Sequence, residues 1–165
     1  MDNILNGILV LAAVWAVVTD LRHRRISNRT TLAAALAAGA VRLAMGGPAS
    51  LLVGAEGWLL GVAVLLLPFV MGWMGAGDVK LLAAFGALRG PEFVIQTAIL
   101  GCLLGGVLSL AYLAREGKLG FTLRHLVIFI RHPLGGAMQA TRRMPFGPAL
   151  AAGAAASLIL AARPL

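Results

Sequence analysis

Apolar residues fall into six stretches, approximately 4–19, 31–45, 51–74, 79–89, 92–114 and 147–162, separated by polar or glycine- and proline-rich breaks. A helix crossing a bilayer needs about 20 residues, and about 17 can suffice. The third and fifth stretches meet that length unaided. The first, second and sixth sit near the lower limit and reach it by extending into their flanks. The fourth is short and starts directly after a glycine-rich break, which predicts a half-helix or a continuation of the third beyond a kink. The expected fold is an all-α membrane protein, a polytopic bundle of about six transmembrane helices forming one domain over 1–165.

The connections refine this picture. Residues 20–30 carry Arg22, Arg24, Arg25 and Arg29, and residues 115–146 form one long polar connection with six further basic residues. Residues 46–50 and 89–92 read as tight turns because glycine and proline punctuate them. With six alternating spans, 20–30, 74–80 and 115–146 share one side, which then holds eleven Lys and Arg against Arg42, Arg89 and Arg163 on the other. An excess of positive loop charge faces the cytoplasm, so both termini are expected outside, with Asp20 and Asp78 at the cytoplasmic face. Residues 120–131 are apolar but too short to span, and are expected to lie on the headgroups as an interfacial helix. The first stretch is expected to be a retained membrane helix. Its start, Met1-Asp2-Asn3, is acidic, and its end runs into a basic cluster, the reverse of a cleavable signal.

Composition agrees with lipid rather than water as the solvent. Of 165 residues, 60% are hydrophobic and 12% charged, and 21 are glycine. A soluble domain carries roughly a quarter charged residues, and small residues let helices approach closely in lipid. The net charge of +8 is accounted for by topology and contact with anionic lipid, so no nucleic-acid partner is expected. Cys102 is the single cysteine, which excludes an internal disulfide and a cysteine zinc site. His23, His125 and His132 are loop residues without metal-ligand spacing, so no metal or cofactor is expected.

The candidate chemistry lies in the six acidic residues. Asp2, Glu92 and Glu116 sit at predicted ends and turns as ordinary surface charges, and Glu56 lies near the outer end of its span as an interfacial or packing charge. Asp20 and Asp78 stand where apolar segments meet the cytoplasmic boundary, and an ionisable group there marks a functional site. Two carboxyls brought together cannot both ionise easily, so they share a proton. The charged member can take a proton from water while the protonated one donates to a carbonyl, which is what peptide hydrolysis requires. Gly75 and Gly77 precede Asp78 and permit unusual dihedrals or close approach of a substrate strand. Asp78 also suits a capping role at the start of the next helix.

Gly75-Ala76-Gly77-Asp78-Val79-Lys80-Leu81-Leu82 resembles the GxGDxKL signature of type IV prepilin peptidases. Asp20-Leu21-Arg22, followed by Ile26-Ser27-Asn28, resembles the segment after that family's first catalytic aspartate, with Ser27 where proline is usual. Met144-Pro145-Phe146-Gly147-Pro148-Ala149 resembles the opening of its last helix. The three matches occur in the family's order and cover essentially the whole chain.

The resemblance implies an intramembrane aspartic endopeptidase with Asp20 and Asp78 as the catalytic pair, and Gly75, Gly77 and Lys80 as motif residues beside the substrate. Lys80 is expected to anchor its segment at the headgroups. The implied substrate is a prepilin, a short basic leader joined to an apolar helix, cut at the cytoplasmic face of a bacterial inner membrane. The longer bifunctional members carry paired CxxC motifs after the first helix. Their absence here resembles the short form of tight-adherence (Flp-type) pilus systems, and leaves N-methylation of the trimmed pilin unsupported. Two rivals remain at this level: a related aspartyl peptidase with another substrate, and a small transporter or channel subunit whose acids relay protons or bind a cation. Transport favours acids near mid-membrane and repeat symmetry. Neither is evident in the chain, which also leaves the oligomeric state open.

Overall fold

A computed structural model describes residues 1–23, 28–72, 74–115, 117 and 147–161. These form helices α1 (Asp2–His23), α2 (Asn28–Val70), α3 (Ala76–Arg89), α4 (Pro91–Arg115) and α5 (Gly147–Ala161), with no strand among the described residues. The proposed interfacial helix over 120–131, Arg24, Arg25, Ile26, Ser27 and 144–146 lie outside the described residues.

The second and third apolar stretches both fall in α2, whose 43 residues would extend about 65 Å if straight. The chain instead breaks at Gly47, which has φ 68 and ψ −168, and Pro48 follows it. A residue other than glycine is strained at that φ. Arg42, before the break, donates to the Ser50 carbonyl after it at 3.0 Å. A Cβ on Gly39 would lie 3.7 Å from Leu51 Cδ1, whereas residues that far apart on a straight helix are separated by about 18 Å. The two parts of α2, 28–46 and 48–70, are therefore folded against each other as a hairpin.

Contacts with α3 give each limb its direction. Asn28 meets Lys80 near the start of α3, while Arg42 meets Ala87 and Leu88 near its end, so the first limb runs parallel to α3. The second limb runs antiparallel, because Gly54 faces Ala87, Gly57 faces Gly86 and Gly61 faces Ala83. Asp2 pairs with Arg89 at 3.9 Å, which fixes the start of α1 beside the end of α3. One end of the bundle thus gathers Asp20, Asn28, Asp78 and Lys80. The other gathers Asp2, Arg42, the α2 turn and the turn after α3.

The α2–α3 interface is the most extensive among the described residues, and small residues create it. Gly54, Gly57 and Gly61 are buried on one face of α2. A Cβ on Gly57 would collide with the Gly86 carbonyl, and one on Gly61 would sit 2.6 Å from Ala83 Cα. In lipid, where no hydrophobic force pulls helices together, such backbone contact supplies the dispersion and weak Cα–H···O attraction that hold a bundle. Helices α4 and α5 meet similarly at Gly101 and Gly153, and Thr97 Oγ1 makes a long 3.4 Å contact to Ser157 Oγ.

Helix α3 is the central element. Its residues from Asp78 to Leu88 are buried except Lys80, and Phe85 and Leu88 have no exposed surface. The outward faces of α1, α2 and α4 are apolar instead, with Leu11, Leu67, Val70, Leu103 and Val107 exposed. That inverts the arrangement of a water-soluble protein and fits a lipid surround. Among the described residues, three helices (α1, α2 and α4) are long and apolar enough to cross a membrane, α2 counting there as one. The expected six spans are thus not all established, since α3 has 14 residues and α5 has 15.

Candidate active site

Asp20 is buried because of its register on α1. Leu5, Leu9, Ala12, Ala16 and Asp20 are all buried and recur at helical spacing on one face. The stripe that is apolar for four positions therefore ends in a carboxyl turned into the bundle, 6% exposed.

Asp78 sits in the first turn of α3, outside the three spanning helices, and is 8% exposed. Its Oδ2 accepts a hydrogen bond from the Gly75 N–H at 3.2 Å. This is half of a capping box, with the third helical residue reaching back to the backbone of the cap; glycine has no side chain to reciprocate. Capping and a site role therefore coexist in one residue. Burial pushes the Asp78 carboxyl up to about 6, assisted by the charge of Asp20 and opposed by the Gly75 hydrogen bond. The Coulombic influence of Asp20 means that the two acids, far apart in sequence, act on each other across the α1–α3 contact.

The glycines before Asp78 behave differently from expectation. Gly75 has φ −83 and ψ 153, an extended conformation open to any residue, and a Cβ there would meet Asp78 Oδ2 at an ordinary 3.5 Å. Positive φ in this region falls on Gly72 instead, at 77. Gly75 and Gly77 are half-exposed beside a buried acid, so their contribution is an uncovered backbone rather than a special dihedral.

Lys80 is exposed, as expected, and it has a protein partner. Its Nζ donates to Asn28 Oδ1 at 3.0 Å. Asn28 in turn receives the Thr31 hydroxyl on its backbone carbonyl at 3.2 Å. The segment after Asp20 and the segment after Asp78 are thereby joined directly.

Sequence reasoning missed Arg42, which it counted among charges on the outer side. The residue is 5% exposed and every arm of its guanidinium is engaged. Nε donates to the Ala87 carbonyl at 2.8 Å, Nη2 to the Leu88 carbonyl at 3.0 Å, and Nη1 to the Ser50 carbonyl and hydroxyl at 3.0 and 3.2 Å. The Ala87 and Leu88 carbonyls belong to the last turn of α3, whose carbonyls have no intrahelical donors. The missed signal was a single charge inside the otherwise apolar stretch 31–45. Glu56 is exposed on the second limb near the same end, away from the acids. Among the described residues no cluster of His, Cys, Asp and Glu converges as metal ligands do.

An all-helical membrane bundle with two buried, interacting carboxyls at one end has the makings of an intramembrane acid–base site. The sequence pattern of the type IV leader peptidase family matches residues 7–110, a span containing α3, both acids, Asn28, Lys80 and Arg42. The chain belongs to that family, and its relatives by this definition are peptidases. No curated protein and no solved structure matches the chain.

Proposed function

We propose that this protein is an aspartic endopeptidase of the membrane that removes the basic leader from type IV, Flp-like prepilins, with Asp20 and Asp78 as its catalytic pair. The observation that carries the reading is the pair itself: two carboxyls, each nine-tenths buried, acting on each other at one end of the bundle. Membership of a leader peptidase family supports the reaction class.

In the working form the pair carries one proton, on Asp78, where burial raises its affinity for it. Asp20 as carboxylate takes a proton from water, and the water oxygen attacks the scissile carbonyl carbon. The Asp78 proton passes to the carbonyl oxygen, giving a gem-diol. Return of a proton to the amide nitrogen breaks the C–N bond and releases the leader and the mature pilin with a new amino terminus. No covalent intermediate is required. The substrate's apolar helix docks laterally against the bundle, while its leader stays in the cytoplasm with the basic end that includes Arg22, Arg29 and Lys80. The half-exposed backbone at Gly75 and Gly77 gives the extended peptide a surface to lie against. The remaining spans and the inner-membrane location complete a multi-pass protein with its site facing the cytoplasm.

Co-expression with a candidate prepilin, read as a mobility shift on a gel, tests this. Asp20→Asn and Asp78→Asn are each expected to abolish cleavage with membrane insertion intact. Substantial cleavage by both single variants would refute the assignment.

A further inference from the structure

The contact between Lys80 and Asn28 is not used by the proton chemistry. It joins the two pieces of chain that carry the acids. Asn28 opens α2, a short connection after Asp20, and Lys80 lies two residues beyond Asp78 in α3. Residues two apart on a helix point roughly 200° away from each other around its axis, so the ammonium is directed away from the Asp78 carboxyl. The groups acting on that carboxyl are the Gly75 amide and Asp20. Lys80 therefore contributes position rather than charge. Its partner is itself seated: the Asn28 carbonyl takes the hydroxyl of Thr31, which is buried.

We propose that Lys80 and Asn28 form a latch that fixes the start of α2 against the start of α3 and thereby sets the working separation of Asp20 and Asp78. The proposal rests on the reading of those two acids as the catalytic pair. Both latch residues are positioning residues. An exposed hydrogen bond contributes little to global stability, and the glycine seam and Arg42 hold α2 to α3 independently. The latch can therefore be removed without unfolding the bundle. Small errors in the placement of reacting groups cost far more in rate than in stability, on the order of 10- to 100-fold for a displacement near 1 Å.

The test uses the full chain in proteoliposomes and a synthetic substrate of a basic leader joined to an apolar helix. Lys80→Met and Asn28→Ala are expected to lower kcat at least about tenfold with KM unchanged. Lys80→Arg and Asn28→Asp, which keep donor and acceptor, are expected to recover most of the rate. A Cys102→Ser background carrying Asn28→Cys and Lys80→Cys, bridged by a short bismaleimide, is expected to regain cleavage relative to its unbridged form. Wild-type kcat in both disrupting variants overturns the latch. So does a rise in KM alone, which would assign Lys80 to substrate binding, or loss of cleavage on bridging, which would make opening part of turnover. Asp20→Asn and Asp78→Asn run alongside: if they still cleave, the catalytic reading fails, whereas inactive acid variants beside normal latch variants defeat the latch alone.

Discussion

Arg42→Met is the most discriminating test of the packing. Methionine keeps much of the unbranched stem that lies across Gly54, where a Cβ would be only 2.7 Å from Arg42 Cδ, so apolar contact is largely retained while all donors are lost. Four hydrogen bonds of 2.8 to 3.2 Å disappear. The Ser50 hydroxyl sits where solvent has some access and can find another partner. The carbonyls of Ala87 and Leu88 are accepted in buried bonds and are left without donors. At about 1–3 kcal/mol for each buried group deprived of its partner, the expected loss is about 3 kcal/mol. Arg42→Lys, with one ammonium in place of a three-armed fork, should lose about half as much, since a point charge cannot serve carbonyls on two elements with the same geometry. Reversible unfolding of the protein in mixed micelles, followed by helical circular dichroism or steric trapping, measures both. If Arg42→Met falls within about 1 kcal/mol of wild type, well below the cost of two orphaned carbonyls, the guanidinium does not serve the end of α3 as described.

Three further outcomes are expected. The Asp78 carboxyl titrates near 6 in the folded protein against 3.8 when free, so the folded state binds the proton more tightly and loses stability as pH rises from about 4 through about 6. Asp78→Asn should therefore be more stable than wild type by about 3 kcal/mol at pH 8 and nearly equal to it below pH 4; identical pH–stability curves would contradict the buried acid. Gly57→Ala drives a methyl into the Gly86 carbonyl and should destabilise by about 1–3 kcal/mol through overpacking, whereas Gly106→Ala, where a Cβ meets nothing within 4 Å, should be neutral in the same unfolding assay. Ser157→Ala removes the long interhelical contact from Thr97 along with a bond to the Gly153 carbonyl inside the same helix, and should cost about 0.6 kcal/mol, the usual worth of a polar contact between membrane helices.

The apolar pattern located the helices well because hydropathy over a bilayer-length window is set by the solvent, not by partners. The stretches 79–89 and 92–114 became Ala76–Arg89 and Pro91–Arg115, and the break at 46–50 became the reversal at Gly47. Asp20 and Asp78 were legible as an isolated kind of residue, acids at the rim of apolar segments, and the burial of Asp20 followed from the register of α1. Pairings across distant segments were not legible. Nothing local to Arg42 says that its acceptors are the carbonyls of Ala87 and Leu88, since backbone acceptors are identical at every position and only the three-dimensional path selects them. Lys80 has the same difficulty: a lysine at a membrane boundary is as well suited to headgroups as to Asn28. The dihedral argument for Gly75 failed for another reason, because glycine permits an unusual backbone without requiring one.

Helix α3, at 14 residues, is about 21 Å long, against about 30 Å of hydrocarbon. Its far end is sealed by a guanidinium that occupies the terminal carbonyls, while its near end finishes in an acid and an uncovered stretch of glycine backbone. Helix α3 is therefore about 9 Å shorter than the hydrocarbon is thick. Hydrolysis consumes water, so under the proposed function water has to reach the acids from the end of the bundle at which α3 begins.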